Sequence, residues 1–150
     1  MGLQAEGDAV REFERARHAL DEENTVTALG HLERALDMDA NPCWHSYLGY
    51  CIAKERGQVA RGVELCRSSL QLEPDNPVHY LNLGRVYLVS GNKEDALRVL
   101  RQGMAKGEDA GLLRQLRDLG SRKPPVLSFL SRSNPVNKYL GLLLSRLGLR

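Results

Sequence analysis

The chain repeats itself at intervals of 34 or 35 residues, and this constrains its fold more than any other feature of the sequence. Ala28, Gly62 and Ala96 are spaced 34 residues apart. Two Asn-Pro pairs begin at Asn41 and Asn76, 35 residues apart, and a Leu-Gly pair recurs at the same spacing. Recurrence at such a period is typical of repeat architectures, in which each unit buries its apolar face only against its neighbour.

Each unit has the start and stop signals of a helix pair. Asn41 and Asn76 can cap a helix with a side-chain oxygen, and the proline after each suits the first helical position. Gly57 and Gly91 can end that helix in the left-handed conformation, and Asn92 can cap the helix that follows. We therefore expect an all-α chain with helices at about 9–22, 25–38, 42–56, 59–72, 77–90 and 93–106.

The third unit resembles the tetratricopeptide repeat. Tyr80, Leu83, Gly84, Tyr87 and Ala96 match that family's signature of aromatic-x-x-Leu-Gly-x-x-Tyr, followed by a small residue. The resemblance implies a helical solenoid of three helix pairs, of the small bacterial type. Its predicted bounds are residues 8–119, with repeats at about 8–41, 42–75 and 76–109.

The first unit departs furthest from the signature. Arg15 stands where leucine is usual, and no glycine separates its two helices. The small residues at 28, 62 and 96 nevertheless recur in all three units, where the two helices of a pair would cross closely. This supports the solenoid independently of the signature.

The open end of a three-repeat stack needs a cap, because its apolar face has no further neighbour. Residues 110–119 can supply one, with Asp109 as the N-cap, a stripe of leucines as the apolar face and Gly120 as the end. Residues 120–134 contain two consecutive prolines and are predicted to be an extended linker. Residues 135–150 are predicted to form a C-terminal amphipathic helix.

The C-terminal helix has a wide apolar face that must pack against something. Three sites are open: the body of the same chain, a second copy, or a membrane surface or separate protein. Packing on the acidic body of the same chain is the first of these, and the 4-3-4 spacing of part of the face, typical of a helix–helix seam, makes a homo-oligomer the second. The residues predicted for tail docking or self-association are Val136, Tyr139, Leu140, Leu143 and Leu147.

In the tetratricopeptide-repeat family, partners usually lie along a concave face that is lined by the first helix of each repeat. Carried over position by position, the resemblance implies a peptide-binding groove formed by Arg17, Tyr50, Lys54, Asn82 and Arg85. Arginine can pair with carboxylates, asparagine can hold a peptide backbone and tyrosine adds stacking area. We expect an extended or helical peptide with acidic character or a free C-terminus. Alternatively, these are solvated surface residues, some of them paired with neighbouring acids.

The sequence contains no recognisable catalytic or metal-binding pattern. The four histidines lie at no sequence spacing from a serine, cysteine or acid that would identify an activated nucleophile. Cys43, Cys51 and Cys66 have neither metal-type nor disulfide-type spacing, and we expect reduced, mostly buried thiols. Phosphate-binding glycine motifs are absent. The prediction is therefore a protein that is not an enzyme, with no catalytic residue, no metal and no cofactor.

Charge divides the chain into two parts. Residues 1–109 contain 13 Lys and Arg against 18 Asp and Glu, whereas residues 110–150 contain 8 against one. The basic residues of the second part are thinly spread with few aromatics, which argues against nucleic-acid binding. The first residues lack a basic, apolar leader, and no apolar run approaches membrane-spanning length. We therefore expect a cytoplasmic protein.

These observations predict a non-catalytic protein–protein interaction module that binds a peptide or protein segment in the concave groove, as an adaptor or assembly factor. Two alternatives stay open. One is a secretion-type chaperone that cradles a partner segment, since the middle of the chain also resembles three-repeat chaperones of that kind. The other is an adaptor that docks on a membrane surface through its basic amphipathic tail.

Overall fold

The structure, a computed structural model, describes residues 2–120 and 135–148, and in the second range the side chains of 139 and 141–148. Over these residues the backbone forms helices joined by turns, without a strand. The all-α prediction is confirmed. The helices are α1 Gly2–Asp21, α2 Thr25–Met38, α3 His45–Arg56, α4 Val59–Leu72, α5 Pro77–Val89, α6 Lys93–Lys106, α7 Ala110–Gly120 and α8 Pro135–Arg146.

Consecutive helices pack as pairs, and the pairs stack. The closest helix packing is within α1–α2, α3–α4 and α5–α6. Further contacts join α2 to α3, and both α3 and α4 to α5, so each pair rests on the next. This is the predicted solenoid of three helix pairs, in which no pair hides its apolar face alone.

The helix ends follow the predicted capping signals. Side-chain oxygens of Asn41, Asn76 and Asn92 accept backbone N–H groups at the starts of their helices, at 3.0 to 3.1 Å. Asp109 caps α7 in the same way, at 3.0 Å from the nitrogen of Leu112. One further cap was not predicted: the side-chain oxygen of Asn24 accepts from the backbone of α2 at 3.1 Å.

The predicted glycine stops also hold in the two later repeats. Gly57 and Gly91 follow the first helices of those repeats with φ of +67° and +79°. These left-handed conformations are ones that glycine adopts without the Cβ penalty of other residues. Both glycines therefore set where the chain turns back into its second helix.

Three helix boundaries differ from the prediction. Helix α1 begins at Gly2 and not near residue 9, because nothing in residues 2–8 breaks a helix that Ala9 and Phe13 already anchor in the core. Helix α3 is preceded by a separate 3₁₀ turn at Pro42–Trp44. Helix α7 includes Gly120 as its last described residue, one residue beyond the predicted cap at 110–119.

The helices of the second repeat cross at two glycines. A Cβ on Gly49 would lie 2.6 Å from the carbonyl oxygen of Gly62, and a Cβ on Gly62 would lie 2.6 Å from that of Gly49. In the other repeats, Ala28 and Ala96 stand at the position of Gly62 and are completely buried. The recurring small residues thus lie at buried helix crossings, as predicted.

Aromatic stacking joins the first repeat to the second. The rings of Phe13 and Trp44 stack with centroids 4.7 Å apart, and Tyr47 meets Phe13 edge-on at 4.9 Å. All three cysteines are free; Cys51 and Cys66 are buried, whereas Cys43 is partly exposed. Burial raises the pKa of the Cys51 thiol to about 12 and raises the pKa of Cys66 as well. The cysteines are therefore packing residues in the thiol form.

The chain divides into two units, one up to Leu116 and one from Arg117 onward. The first contains the three helix pairs and most of α7, and the second contains the end of α7 and α8. None of the described helices is long and apolar enough to cross a membrane. Of the predicted linker at 120–134, Gly120 lies in α7 and the other residues lie outside the described ones. The predicted domain limits stay predictions.

Candidate functional site

The first helices of the repeats, together with α7, surround a cavity of about 210 Å³. We call it the groove cavity. Its wall carries arginines and acids, with apolar side chains between them. The charged lining residues are Arg17, Arg85, Arg114, Asp21, Glu23 and Asp109, and the others include Leu20, Tyr47, Val78, Leu81, Asn82 and Gln115.

A second recess of about 290 Å³ shares two residues, Arg85 and Gln115, with the groove cavity. We call it the side cavity. Tyr50 and Lys54 of α3 and Leu88 and Val89 of α5 complete its lining. The five residues predicted for the groove all line one of the two cavities: Arg17 and Asn82 the first, Tyr50 and Lys54 the second, and Arg85 both. Their role in binding stays a prediction.

Arg85 lies over an aromatic ring between two repeats. Its guanidinium carbon is 5.2 Å from the centre of the Tyr50 ring, a distance typical of a cation–π contact. Among the residues that the structure describes, Arg85 has no carboxylate within 4 Å, and neither do Lys54 and Arg114. Three cations around the cavities are therefore available to an anionic ligand.

Arg17 behaves differently. Its guanidinium pairs with Glu14, one turn earlier on α1, at 3.0 Å, and both side chains are largely exposed. This is the pairing foreseen by the alternative interpretation of the groove residues. Arg17 therefore reaches the cavity with its charge already partly compensated, and such exposed pairs contribute little to stability.

Asn82 forms part of the floor of the groove cavity. The side chain is 1% exposed, and its Nδ2 donates to the hydroxyl of Ser46 at 3.0 Å. Asn82 was predicted to lie in the groove, but its sequence neighbourhood contains no signal for this buried partner. A hydrogen bond of this kind holds the amide in one orientation.

Ser46 belongs to a longer buried chain of polar groups. Its Oγ lies 2.7 Å from Nδ1 of His79, and Nε2 of His79 lies 2.5 Å from a carboxylate oxygen of Glu73. Asn76 donates to the same carboxylate oxygen at 3.1 Å. The hydrogen bond from His79 is the main reason why the pKa of Glu73 is lowered. Every buried side-chain nitrogen or oxygen in the described residues has a partner.

The order serine, histidine, carboxylate is that of a hydrolytic triad, and sequence spacing did not reveal it. Ser46 and His79 are 33 residues apart, one repeat apart in space. The geometry does not make a nucleophile available, because Ser46 has no exposed surface and its oxygen also accepts from Asn82. A substrate carbonyl would have to reach a fully buried hydroxyl. The chain of contacts is therefore suited to positioning Asn82.

Comparison with known proteins agrees with this architecture. Residues 53–118 match the family profile described as tetratricopeptide repeat. Over this stretch the chain has the sequence pattern of the tetratricopeptide-repeat family. The matched stretch covers the end of α3, the whole of α4, the third repeat and most of α7, and it includes the third repeat, where the sequence signature is strongest.

Two similar proteins place these tetratricopeptide repeats in a wider context. The crystal structure of the Sgt2 TPR domain from Aspergillus fumigatus superposes with a TM-score of 0.52, covering 87% of this chain and 93% of that one. At 15% identity the likeness concerns the fold alone. A pentatricopeptide repeat-containing protein of Arabidopsis thaliana is 34% identical over 56 residues, which are 37% of this chain and 13% of the plant protein.

The degenerate first repeat is held together by a buried ionic cluster that the family signature does not contain. Glu12 of α1 accepts from Arg15 at 2.5 Å and from Arg34 of α2 at 2.9 Å, and His31 of α2 lies 2.8 Å away. The contacts with His31 and Arg34 are the main reason why the pKa of Glu12 falls to about 2. Arg15 thus stands in place of the usual leucine as a partner of Glu12.

The described side chains of α8 expose apolar surface. Tyr139, Leu143 and Leu147, three of the five residues predicted for tail docking or self-association, are exposed, and so is Leu142. The side chains of Val136 and Leu140 lie outside the described residues. The role of this face in docking or self-association stays a prediction.

Most of the lining of the groove cavity was not predicted from the sequence, including Tyr47, Arg114 and Gln115. Tyr47 lies on α3 three residues before Tyr50, while Arg114 and Gln115 lie on α7, which was predicted only as a cap. A signal was present for Arg114, since it is one of the basic residues that follow the acidic first part of the chain. The cap is therefore also a wall of the cavity.

Proposed function

We propose that this tetratricopeptide-repeat protein is a non-catalytic interaction module that binds an acidic peptide segment across the groove cavity and the side cavity. The fold in general serves protein–protein interaction. The observation that supports the finer statement is the position of Arg85, which is stacked on Tyr50 and has no described carboxylate partner. Lys54 lines the side cavity with it and Arg114 lines the groove cavity with it, and neither has a described carboxylate partner.

The chemistry favours carboxylates on the ligand. A guanidinium presents paired N–H donors that match the two oxygens of a carboxylate, and hydrogen bonds to charged groups contribute about 1.5–3 kcal/mol each. Arg85 is partly buried and its guanidinium already lies over the Tyr50 ring. Less side-chain entropy is therefore lost when it pairs with a ligand than for a free surface arginine.

Apolar side chains give the ligand a second requirement. Leu88 and Val89 line the side cavity, and Val89 is an exposed large hydrophobic residue. Leu81 and Val78 contribute to the groove cavity. A segment that places apolar side chains between acidic ones would bury this surface while its carboxylates meet the cations.

The experiment uses a fluorescein-labelled octapeptide of alternating glutamate and leucine and measures its binding to the full chain by fluorescence anisotropy. We expect Arg85→Glu to abolish binding, because the change places an anion where the ligand carboxylate would lie. Arg101→Glu is the matched control, since Arg101 is exposed on α6, away from both cavities. Equal affinities of the two variants would contradict the proposal, and so would a lack of binding to the wild type.

The broader role depends on which surfaces act together with the groove. An adaptor or assembly factor would use the groove for one partner and the apolar face of α8 for another. A secretion-type chaperone would need only the groove. A membrane-surface adaptor would use the basic tail, and a cytoplasmic location is compatible with all three roles.

A further inference from the structure

One end of the Asn82 side-chain amide is hydrogen-bonded within the protein, and the other end borders the groove cavity. The Nδ2 atom donates to Ser46. No described residue donates to the Oδ1 atom. Every fully buried side-chain oxygen in the described residues has a hydrogen-bond partner, so Oδ1 is not fully buried. Oδ1 is therefore the atom at the accessible edge of this 1% exposed side chain, where Asn82 lines the cavity.

The direction of this amide is set by a carboxylate three groups away. Ionised Glu73 can only accept, so the nitrogen that faces it at 2.5 Å, Nε2 of His79, must be the one that has the hydrogen. In the neutral imidazole, Nδ1 is then an acceptor, and it takes the only hydrogen of the Ser46 hydroxyl at 2.7 Å.

The Ser46 hydroxyl in turn sets the orientation of the Asn82 amide. The Ser46 oxygen has given its hydrogen to His79 and can only accept from Asn82. Only Nδ2 can supply that hydrogen, so Oδ1 must turn towards the cavity. Each hydrogen bond uses one hydrogen atom, so these donor and acceptor roles are fixed while Glu73 is ionised and His79 is neutral.

We propose that Glu73, His79 and Ser46 are positioning residues that make Asn82 a hydrogen-bond acceptor in the groove, so that a backbone N–H of the bound peptide meets Oδ1 of Asn82. The inference rests on the proposed peptide-binding function and specifies its ligand. The carboxylates of the peptide meet Arg85, Lys54 and Arg114. A C-terminal carboxylate does not bind at Asn82, because two acceptors would face each other there.

The first test needs neither a ligand nor a variant. In the ¹⁵N-histidine-labelled full chain at neutral pH, NMR of the imidazole nitrogens should show His79 as the Nε2–H tautomer. Finding the Nδ1–H tautomer or the imidazolium would overturn the proposal, because either would free Ser46 to donate to Asn82.

The second test changes the carboxylate that sets the direction. In Glu73→Gln the side-chain amide can donate as well as accept, so His79 should become a mixture of the two tautomers. Glu73 is half exposed, which makes the substitution compatible with folding. Glu64→Gln, on the exposed face of α4, is the matched control and should leave the tautomer unchanged. An unchanged tautomer in Glu73→Gln would refute the positioning role.

The third test uses modified peptides to measure whether a backbone N–H of the ligand donates to Asn82. The glutamate–leucine octapeptide is methylated at one backbone nitrogen at a time, and each version is titrated against wild type, Glu64→Gln and Glu73→Gln. One methylation should weaken binding about tenfold in wild type and in Glu64→Gln. The same methylation should cost clearly less in Glu73→Gln. A C-terminal amide should bind as well as the free acid.

The outcomes separate the two proposals. If the octapeptide binds and every methylation is tolerated, the acceptor role of Asn82 is refuted and the peptide groove stands. If a free C-terminus is required, the polarity of Asn82 is also refuted. A third outcome is that the wild type binds no octapeptide while His79 is the Nε2–H tautomer. The proposed function and the ligand of Asn82 are then both refuted, and the directions of the hydrogen bonds from His79 to Asn82 are upheld.

Discussion

The guanidinium of Arg85, on α5, lies over the ring of Tyr50, on α3, with its carbon 5.2 Å from the ring centre. The contact joins two successive repeats at the boundary between the groove cavity and the side cavity. It stabilises the arginine in a defined place while leaving its N–H donors free of any described carboxylate. The stacking of one repeat on the next thus positions this cation between the two cavities.

Removal of this ring should weaken peptide binding without removing any charge. We expect Tyr50→Leu to reduce the affinity for the glutamate–leucine octapeptide about fivefold, since a cation–π contact contributes about 1 kcal/mol. Anisotropy titrations of the full chain measure the effect. Tyr87→Leu removes a tyrosine of α5 that lines neither cavity and is the matched control. Equal losses in the two variants would assign the effect to general destabilisation.

The crossing of α3 and α4 should not tolerate a single added methyl group. In Gly62→Ala the new Cβ would lie 2.6 Å from the backbone oxygen of Gly49, so the helices must separate. We expect the free energy of unfolding to fall by about 2 kcal/mol, measured by urea denaturation followed by circular dichroism.

Gly30 provides the matched comparison, because it also lies inside the second helix of a repeat. Its nearest neighbour would be the flexible end of Arg34, at 3.9 Å. Gly30→Ala should therefore raise the free energy of unfolding by about 0.5 kcal/mol through helix propensity. Similar losses in the two variants would show that the close crossing is not the cause.

Local signals predicted much of the fold. The helix that follows each of three asparagines is capped by that residue: Asn41, Asn76 and Asn92. Positive φ occurs at Gly57 and Gly91, because glycine has no side chain to oppose it. Each of these effects depends on a few neighbouring residues. Repetition at a constant interval then predicts the stacking, which is why the order of helix pairs could be stated from the sequence.

The buried polar contacts could not be predicted in the same way. Ser46 and His79 are not at equivalent positions of their repeats, and they meet only because the third repeat rests on the second at one particular angle. The Glu12 cluster likewise depends on how α1 crosses α2. Arg114 became a groove residue because α7 packs next to α5. Such angles follow from side-chain packing and have no local sequence signal.

The three thiols should react at very different rates. Cys51 and Cys66 are buried and burial raises the pKa of each thiol, so the thiolate that reacts is scarce and shielded. Cys43 is partly exposed, although burial and the nearby Glu73 raise its pKa too. We expect Ellman's reagent to modify one thiol slowly in the native protein and all three in urea. Peptide mapping should identify Cys43 as the first modified, and early modification of Cys66 would contradict the packing.

The stability of the first repeat should depend on pH through Glu12. Its pKa is lowered from 4.5 to about 2 by His31 and Arg34, so the carboxylate stabilises the folded state above the unfolded pKa. This contribution is lost as the pH falls from about 4.5 towards 2. In Glu12→Gln it is absent at every pH, and near neutrality we expect a loss of about 2 kcal/mol in the free energy of unfolding, moderated because Arg15 and Arg34 can reach solvent. The difference between wild type and variant, measured by urea denaturation, should shrink between pH 5 and pH 2. A difference that stays constant over this range would show that the ionised carboxylate does not stabilise the repeat.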